Sequence, residues 1–218
     1  MSCHHSYELC VSQVPIFAHL SNETQQLVFK KINHRYFSKN EMLYMEGDKL
    51  DSLYVVHKGR VRIYRLNDEG EEQLIRVLAH GDYTGELSIF NASTDSASYA
   101  QILEDAEICM ISKESIYELM STYPNLAISF IETFASRLSE TEDQTTHIAL
   151  LNSREKLLTY IDTYREGNKL HLNISKKHIA SYLSMKPETL ARTFKKLEEE
   201  GLIKKINHKT YEILQKLT

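Results

Sequence analysis

The sequence predicts an α+β chain in three parts: an antiparallel β-barrel or sandwich, a long helix, and a C-terminal winged helix-turn-helix. Three observations lead there. Glycines punctuate short alternating apolar segments, a glycine-free stretch of helical periodicity follows them, and a helix, tight turn, helix and hairpin come last.

The glycines define the first part. Of seven in the chain, Gly47, Gly59, Gly70, Gly81 and Gly85 fall within residues 47–85, in EGD, HKGRV, DEGEE, AHGDY and the GEL that follows. Between them run SLYVVH, RVRIYRL and EQLIRVL, and ASYAQILEDAEICMIS carries the alternation to residue 112. Short strands separated by turn residues at even spacing predict a compact antiparallel barrel or sandwich over 35–112. Helical flanks are expected near 21–33 and 113–121. Ser21 is the candidate cap of the first, and Asn22 with Gln25 has capping-box spacing.

From Pro124 to about Gly167 no glycine occurs, and Leu126, Phe130, Phe134, Leu138, Thr145, Ile148 and Leu151 recur at helical intervals. A helix over 124–152 would be about 40 Å long at 1.5 Å per residue. That exceeds what a small domain needs for its own core, so this stripe is expected to pair with a second copy in a parallel homodimer. The other reading lays the helix wholly on the barrel.

The third part starts at residue 153. KLHLNIS alternates like a short strand, and Ser175 caps KKHIASYL. SMK forms the turn, and Pro187 opens PETLARTFKKLEEE at the first helical position, where its missing N–H costs nothing. Gly201 ends that helix, and LIKKI, NHKT and YEIL make a two-stranded wing. Ile179, Leu183, Leu190, Phe194, Leu197, Leu202 and Ile206 are the expected core.

This arrangement is a winged helix-turn-helix, whose second helix enters the major groove of double-stranded DNA by its N-terminal end. Lys186, Glu188, Thr189 and Arg192 then face base edges. Arg192 can donate two hydrogen bonds to guanine, and Glu188 can accept from a cytosine amino group. Ser175, Lys176, Lys177, Lys195 and Lys196 are the candidates for phosphate contacts. Charge distribution agrees: residues 153–218 carry a balance of +6, and residues 1–152 one of −10.

Bulk composition limits the alternatives. In 218 residues, 42% of them apolar, no run of about 18 apolar residues and no signal peptide occurs, so no membrane span and a cytoplasmic location are expected. Three cysteines, an odd number, do not read as a secreted disulfide framework. The ten histidines show no zincin spacing, and there is neither a phosphate-cradling glycine loop nor a serine elbow, so an enzyme is not expected.

From VPIF at 14–17 to the wing, through HGDYTGELSIF and HIASYLSMKPETLARTFKKLEEEGLI, the chain resembles bacterial transcription regulators of the CRP/FNR family. The resemblance implies an N-terminal cyclic-nucleotide-binding-type antiparallel β-barrel, a jelly roll, with flanking helices over 21–123, a dimerisation helix over 124–152 and a DNA-binding domain over 153–218. It also implies a palindromic promoter site, RNA polymerase as partner, and base reading by Glu188 and Arg192. The sequence departs from the family at Pro187, where the cyclic-AMP receptor branch has an arginine, and at Ala191, where the FNR branch has a serine.

The resemblance also bears on the signal. The cyclic-AMP branch holds its phosphate with an Arg-Ser pair about ten residues after GEL, and here Ser96-Ala97 stand there. A hydroxyl does not replace a guanidinium fork, so cyclic AMP is not expected, and Gly85-Glu86 is expected to survive only as a barrel turn. Redox sensors of the FNR branch carry cysteines on an N-terminal arm and one in the barrel. This chain has Cys3 and Cys10 on an arm over 1–20, and Cys109 in AEICMIS. Alternation puts Ala106, Ile108 and Met110 toward the core and turns Glu107 and Cys109 to the opposite face, open to the arm. Three states of the trio stand open: an iron–sulfur cluster whose fourth ligand is His4, His5 or Glu8, a reversible disulfide, or inert thiols. A haem or zinc site using the two histidines falls within the first. A small-molecule effector in the barrel, with no redox chemistry, is the alternative means of control.

Overall fold

In a computed structural model, residues 11–215 are described apart from 13, 19 and 92–94, as are the side chains apart from those of 140 and 142–150. Apart from residues 72–74, which group with the second, the chain divides after Ser139 into two compact units.

The first unit opens with a short helix α1 (Pro15–Ala18) and α2 (Asn22–Lys30). Ser21 caps α2 by accepting a hydrogen bond from the Thr24 amide, so the cap is Ser21 and not the Asn22–Gln25 pair. Six antiparallel strands follow, in the order β1-β6-β3-β4 with β2 on β6 and β5 on β3. They are β1 (Asn33–Phe37), β2 (Met42–Tyr44), β3 (Ser52–Leu66), β4 (Glu72–Leu78), β5 (Tyr83–Thr84) and β6 (Tyr99–Ser112). A short helix α3 (Glu86–Phe90) lies between β5 and β6, and α4 (Lys113–Thr122) and α5 (Pro124–Leu150) come after them.

Strands β3 and β6 run beside each other from Ser52↔Ser112 to Tyr64↔Tyr99, with register shifts around Lys58 and Arg60. Gly59 sits at that irregularity with φ +90, and a Cβ there would lie 2.4 Å from the Asp105 carbonyl oxygen. Only glycine fits, and the resulting bulge lets two long strands bend into a barrel wall.

Two apolar clusters share β6. Phe37, Tyr44, Tyr54, Val61, Ile102, Ala106 and Ile108 belong to one. The other holds Leu53, Val55, Cys109 and Ile111 with Ile16 and Phe17 of α1, Val28 of α2, and Leu126 and Phe130 of α5. From Ala106 to Ile111 both faces of this strand are therefore covered, one within the barrel and one under helices.

The second unit holds α6 (Ser153–Tyr164), β7 (Arg165–Glu166), β8 (Lys169–His171), α7 (Lys176–Tyr182), α8 (Pro187–Glu199), β9 (Ile203–Lys205) and β10 (Thr210–Ile213). Its sheet has the order β7-β8-β10-β9. A capping box fixes the start of α6: Asn152 accepts from the Arg154 and Glu155 amides, and Glu155 reaches back to the Asn152 amide. The core joins Leu157 and Ile161 to Ile179, Leu183, Leu190, Phe194, Leu197 and Tyr211. Ile206, expected among them, is 51% exposed because it lies beyond the end of β9, where the wing turns. No helix among the described residues is long and apolar enough to cross a membrane.

Candidate nucleic-acid interface and barrel site

Helix α8 presents two faces of different chemistry. Leu190, Phe194 and Leu197 are buried, with the Phe194 ring centroid 4.9 Å from that of Tyr211 on β10. Thr193 is buried beside them and donates its hydroxyl to the Thr189 carbonyl at 2.8 Å. Lys186 at the N-cap, Glu188 in the first turn, and Arg192, Lys195 and Lys196 beyond it are exposed, and Thr189 is half-buried. The tertiary contacts thus fix the helix by its apolar side and leave Glu188 and Arg192 in the first two turns of the other side. Lys195 also pairs with Glu199 one turn on, at 3.5 Å.

Of the expected phosphate contacts at the start of α7, Ser175 and Lys177 are exposed and Lys176 is half-buried. Ser175 caps the helix by accepting from the His178 amide at 3.3 Å. Lys176 differs from the expectation. Its ammonium donates to the Tyr211 hydroxyl at 2.7 Å and lies 4.5 Å from the centroid of the Phe194 ring. That places the charge on the aromatic pair behind α8, as a packing element with cation–π character.

Two groups of residues escaped the sequence reading. Lys204, Lys205 and Lys209 are exposed on and beside the wing strands. Arg154, at the start of α6, pairs with Glu200 just past the end of α8 at 2.9 Å. The first group was visible as a basic hairpin; the second joins residues 46 apart and left no local signal.

In the barrel, the Gly85-Glu86 pair is more than a turn. Glu86 is buried, and one oxygen, Oε1, accepts from Arg76 of β4 at 2.9 Å and from Arg137 of α5 at 2.8 Å. The Arg137 guanidinium also lies 3.9 Å over the Tyr83 ring. Gly85 makes this approach possible: at φ +92, a Cβ would stand 2.4 Å from the Ser52 carbonyl oxygen. Among the described residues, the buried Glu86 Oε2 and Tyr83 hydroxyl have no hydrogen-bond partner. Tyr44 and Thr84 share a hydrogen bond of 2.7 Å within the barrel. Burial pushes the phenols of Tyr54 and Tyr83 up to about 12, in the second case against the lowering effect of Arg137. At Ser96, where the resemblance expects a guanidinium, the hydroxyl donates to the Ser98 carbonyl at 2.8 Å.

Cys109 requires a correction. It does lie on the opposite face of β6 from Ile108, but it is only 1% exposed, because α1 and α2 cover that face. Glu107, expected beside it on an open face, is buried as well. The Cys109 sulfur lies 3.4 Å from Nδ1 of His34 on β1, the residue paired with it across the ladder. Cys3, His4, His5, Glu8 and Cys10 fall outside the described residues. Among those described, no group of three His, Cys, Asp or Glu side chains could hold a metal ion.

Residues 34–123 match the cyclic nucleotide-binding domain, and residues 149–216 match the Crp-like helix-turn-helix domain. The chain is 28% identical over 199 residues, 90% of each chain, to the probable transcriptional regulator flp of Lacticaseibacillus casei. It is 24% identical over 208 residues to the anaerobic regulatory protein of Pasteurella multocida, covering 91% of this chain and 76% of that one. The structure of FixK2 from Bradyrhizobium japonicum shares the fold, with a TM-score of 0.73 at 19% identity over 84% of this chain and 93% of that one. With both domains matched, in this order, and with relatives of this kind along nearly the whole length, the chain belongs to the CRP/FNR family of DNA-binding transcription regulators.

Proposed function

We propose that the protein is a cytoplasmic, homodimeric regulator that reads a palindromic promoter site through α8, acts with RNA polymerase, and is controlled by redox state through its cysteines. The observation that carries the DNA reading is the exposure of Glu188 and Arg192 in the first two turns of α8, while the opposite side of the helix is locked into the core.

Support for the homodimer comes from a stripe that shares only Leu138 with the one expected, among the side chains described. Leu126 and Phe130 are buried in the chain's own core and Phe134 packs against it, whereas Ile128, Ile131 and Leu138 are 52%, 66% and 61% exposed. Spacings of three and seven residues put these three on one heptad seam. One face of the helix packs in the chain's own core, and the other suits a partner helix.

The redox reading resembles the FNR branch, in keeping with the relative named an anaerobic regulatory protein. Support comes from position. Cys109 shares its apolar cluster with Val11, the residue that follows Cys10 in sequence, and with Leu126 and Phe130 of α5. Among the described residues, Cys109 and His34 are neighbouring donors, 3.4 Å apart. The remaining ligands of a cluster would come from the arm, and the alternative form of the reading runs through thiols. Cys109 and an arm cysteine lose two hydrogens to a hydroperoxide, which becomes alcohol and water, and a disulfide forms. Repacking around Cys109 then shifts the seat of α5 and, through the dimer seam, the spacing of two recognition helices.

A second reading has its own observation. Glu86 Oε2 and the Tyr83 hydroxyl, buried without a hydrogen-bond partner among the described residues, suit a small effector that donates hydrogen bonds beside Arg76 and Arg137.

Selection of bound duplexes from a random-sequence pool tests the central reading. Recovery of an inverted repeat with half-sites about one helical turn apart supports it. Recovery of no shared sequence, or of an unpaired half-site alone, contradicts it.

A further inference from the structure

Arg154 and Glu200 close one side of a groove of about 410 Å³ in the second unit, with Ser153, Thr189, Arg192 and Lys196 among its other walls. Thr189, Arg192, Lys196 and Glu200 follow one another along a single face of α8, so the groove runs from the base-reading turns of that helix to its C-terminal end. Three of its side chains are cations, and one carboxylate offsets them.

That carboxylate is already engaged. The Arg154 guanidinium donates to Glu200 Oε2 at 2.9 Å, and the two side chains are 49% and 45% exposed. A pair this open to water is held weakly and exchanges its partner for a better anion. A backbone phosphate is such an anion: its oxygens accept the guanidinium fork bidentately, and Lys196, in the same groove, adds charge.

We infer that Arg154 is a DNA-phosphate contact of this protein and that Glu200 is its built-in competitor, holding the guanidinium until a phosphate displaces the carboxylate. This rests on the DNA-binding reading given above and adds to it a residue outside the helix-turn-helix and a brake on its affinity. The contact is sequence-independent, because it fixes the position of the domain on the backbone and touches no base. The brake lowers binding to all duplexes alike. Exchange of one anion for another needs no other reactant.

The test is a double-mutant cycle on binding to a random-sequence duplex, measured across a series of salt concentrations. Arg154→Gln should flatten the slope of log K against log salt by about 0.9 and weaken binding roughly eightfold at 0.1 M salt. Arg154→Lys, which keeps the charge, should keep the slope. Glu200→Gln should tighten binding about twofold to fivefold in the wild-type background, since that is what breaking an exposed ion pair is worth. In the Arg154→Gln background the same change should gain nothing.

An equal gain from Glu200→Gln in both backgrounds would mean that Glu200 merely repels DNA, and the inference falls while DNA binding stands. An unchanged salt slope in Arg154→Gln removes the phosphate contact, again leaving DNA binding intact. If the unmodified protein binds no duplex even at low salt, the DNA-binding reading fails, and this inference fails with it. Thermal unfolding of each variant separates loss of the fold from loss of the contact.

Discussion

Arg137 of the long helix and Arg76 of the barrel share one oxygen of Glu86, at 2.8 and 2.9 Å. The carboxylate is buried, so it is stable there only because two guanidinium groups neutralise it. A barrel strand, the GEL turn and the helix expected to form the dimer thereby meet at a single charge. Arg137→Ala should lower the stability of the first unit by about 2 kcal/mol, less than the loss for a fully buried pair because the arginine is partly exposed. Urea unfolding followed by tyrosine fluorescence measures this. In a Glu86→Gln background the further loss should be smaller, since the pair is already broken.

The buried phenols set an alkaline limit. Burial raises Tyr54 and Tyr83 to about 12, so above pH 10 the unfolded chain releases these protons before the folded one does. The unfolded state then binds fewer protons, and stability falls as pH rises. The contribution of these residues is complete below about pH 10 and is lost progressively between about 10 and 12. Ultraviolet titration should show a late phenolate step that coincides with loss of folded structure. In Tyr54→Phe the late step should be smaller.

Much of this was legible in the sequence where the information is local. Pro187 at a first helical position, Ser175 at a cap and Gly201 after a helix mark the second unit without reference to anything distant. The barrel strands were legible for the same reason. Cys109 was misread because alternation tells which residues share a face but not what covers that face. Here α1 and α2, more than 70 residues earlier in the chain, bury it. The first part of the stripe on α5, Leu126, Phe130 and Phe134, turns to the chain's own core for a related reason, while Leu138 stays exposed and the side chains of Thr145 and Ile148 lie outside those described. Phe130 and Phe134 are the larger apolar residues, and they go to the nearest aromatic partner, Phe90, at 5.0 and 5.6 Å. Ile128 and Ile131 remain outside. The Glu86 cluster joins positions 10 and 51 residues apart, and no periodicity announces such a meeting.

The exposed seam gives a direct expectation for assembly. Ile131→Asp places a charge at the centre of Ile128, Ile131 and Leu138, where a paired helix would have to bury it. Sedimentation should show the unmodified protein as a dimer and this variant as a folded monomer, with specific DNA binding lost together with the dimer.

The buried thiol gives another. Cys109→Ser should leave DNA binding in reducing buffer within about twofold, the change being nearly isosteric, and should abolish the effect of hydroperoxide on binding. Thiol labelling of the reduced, folded protein should find Cys109 slow to react with a bulky reagent and fast once denaturant is added, because it is 1% exposed. A variant that remains equally sensitive to the oxidant would remove Cys109 from the response and favour control through the barrel.

The most direct measurement compares Arg192→Ala with the unmodified protein on two duplexes, the selected site and a random sequence, at one fixed salt concentration. Base reading by α8 predicts a loss of about 1–3 kcal/mol on the selected site and little change on the random one. An equal loss on both duplexes would show that Arg192 only neutralises phosphate, and it would contradict base reading by this helix face.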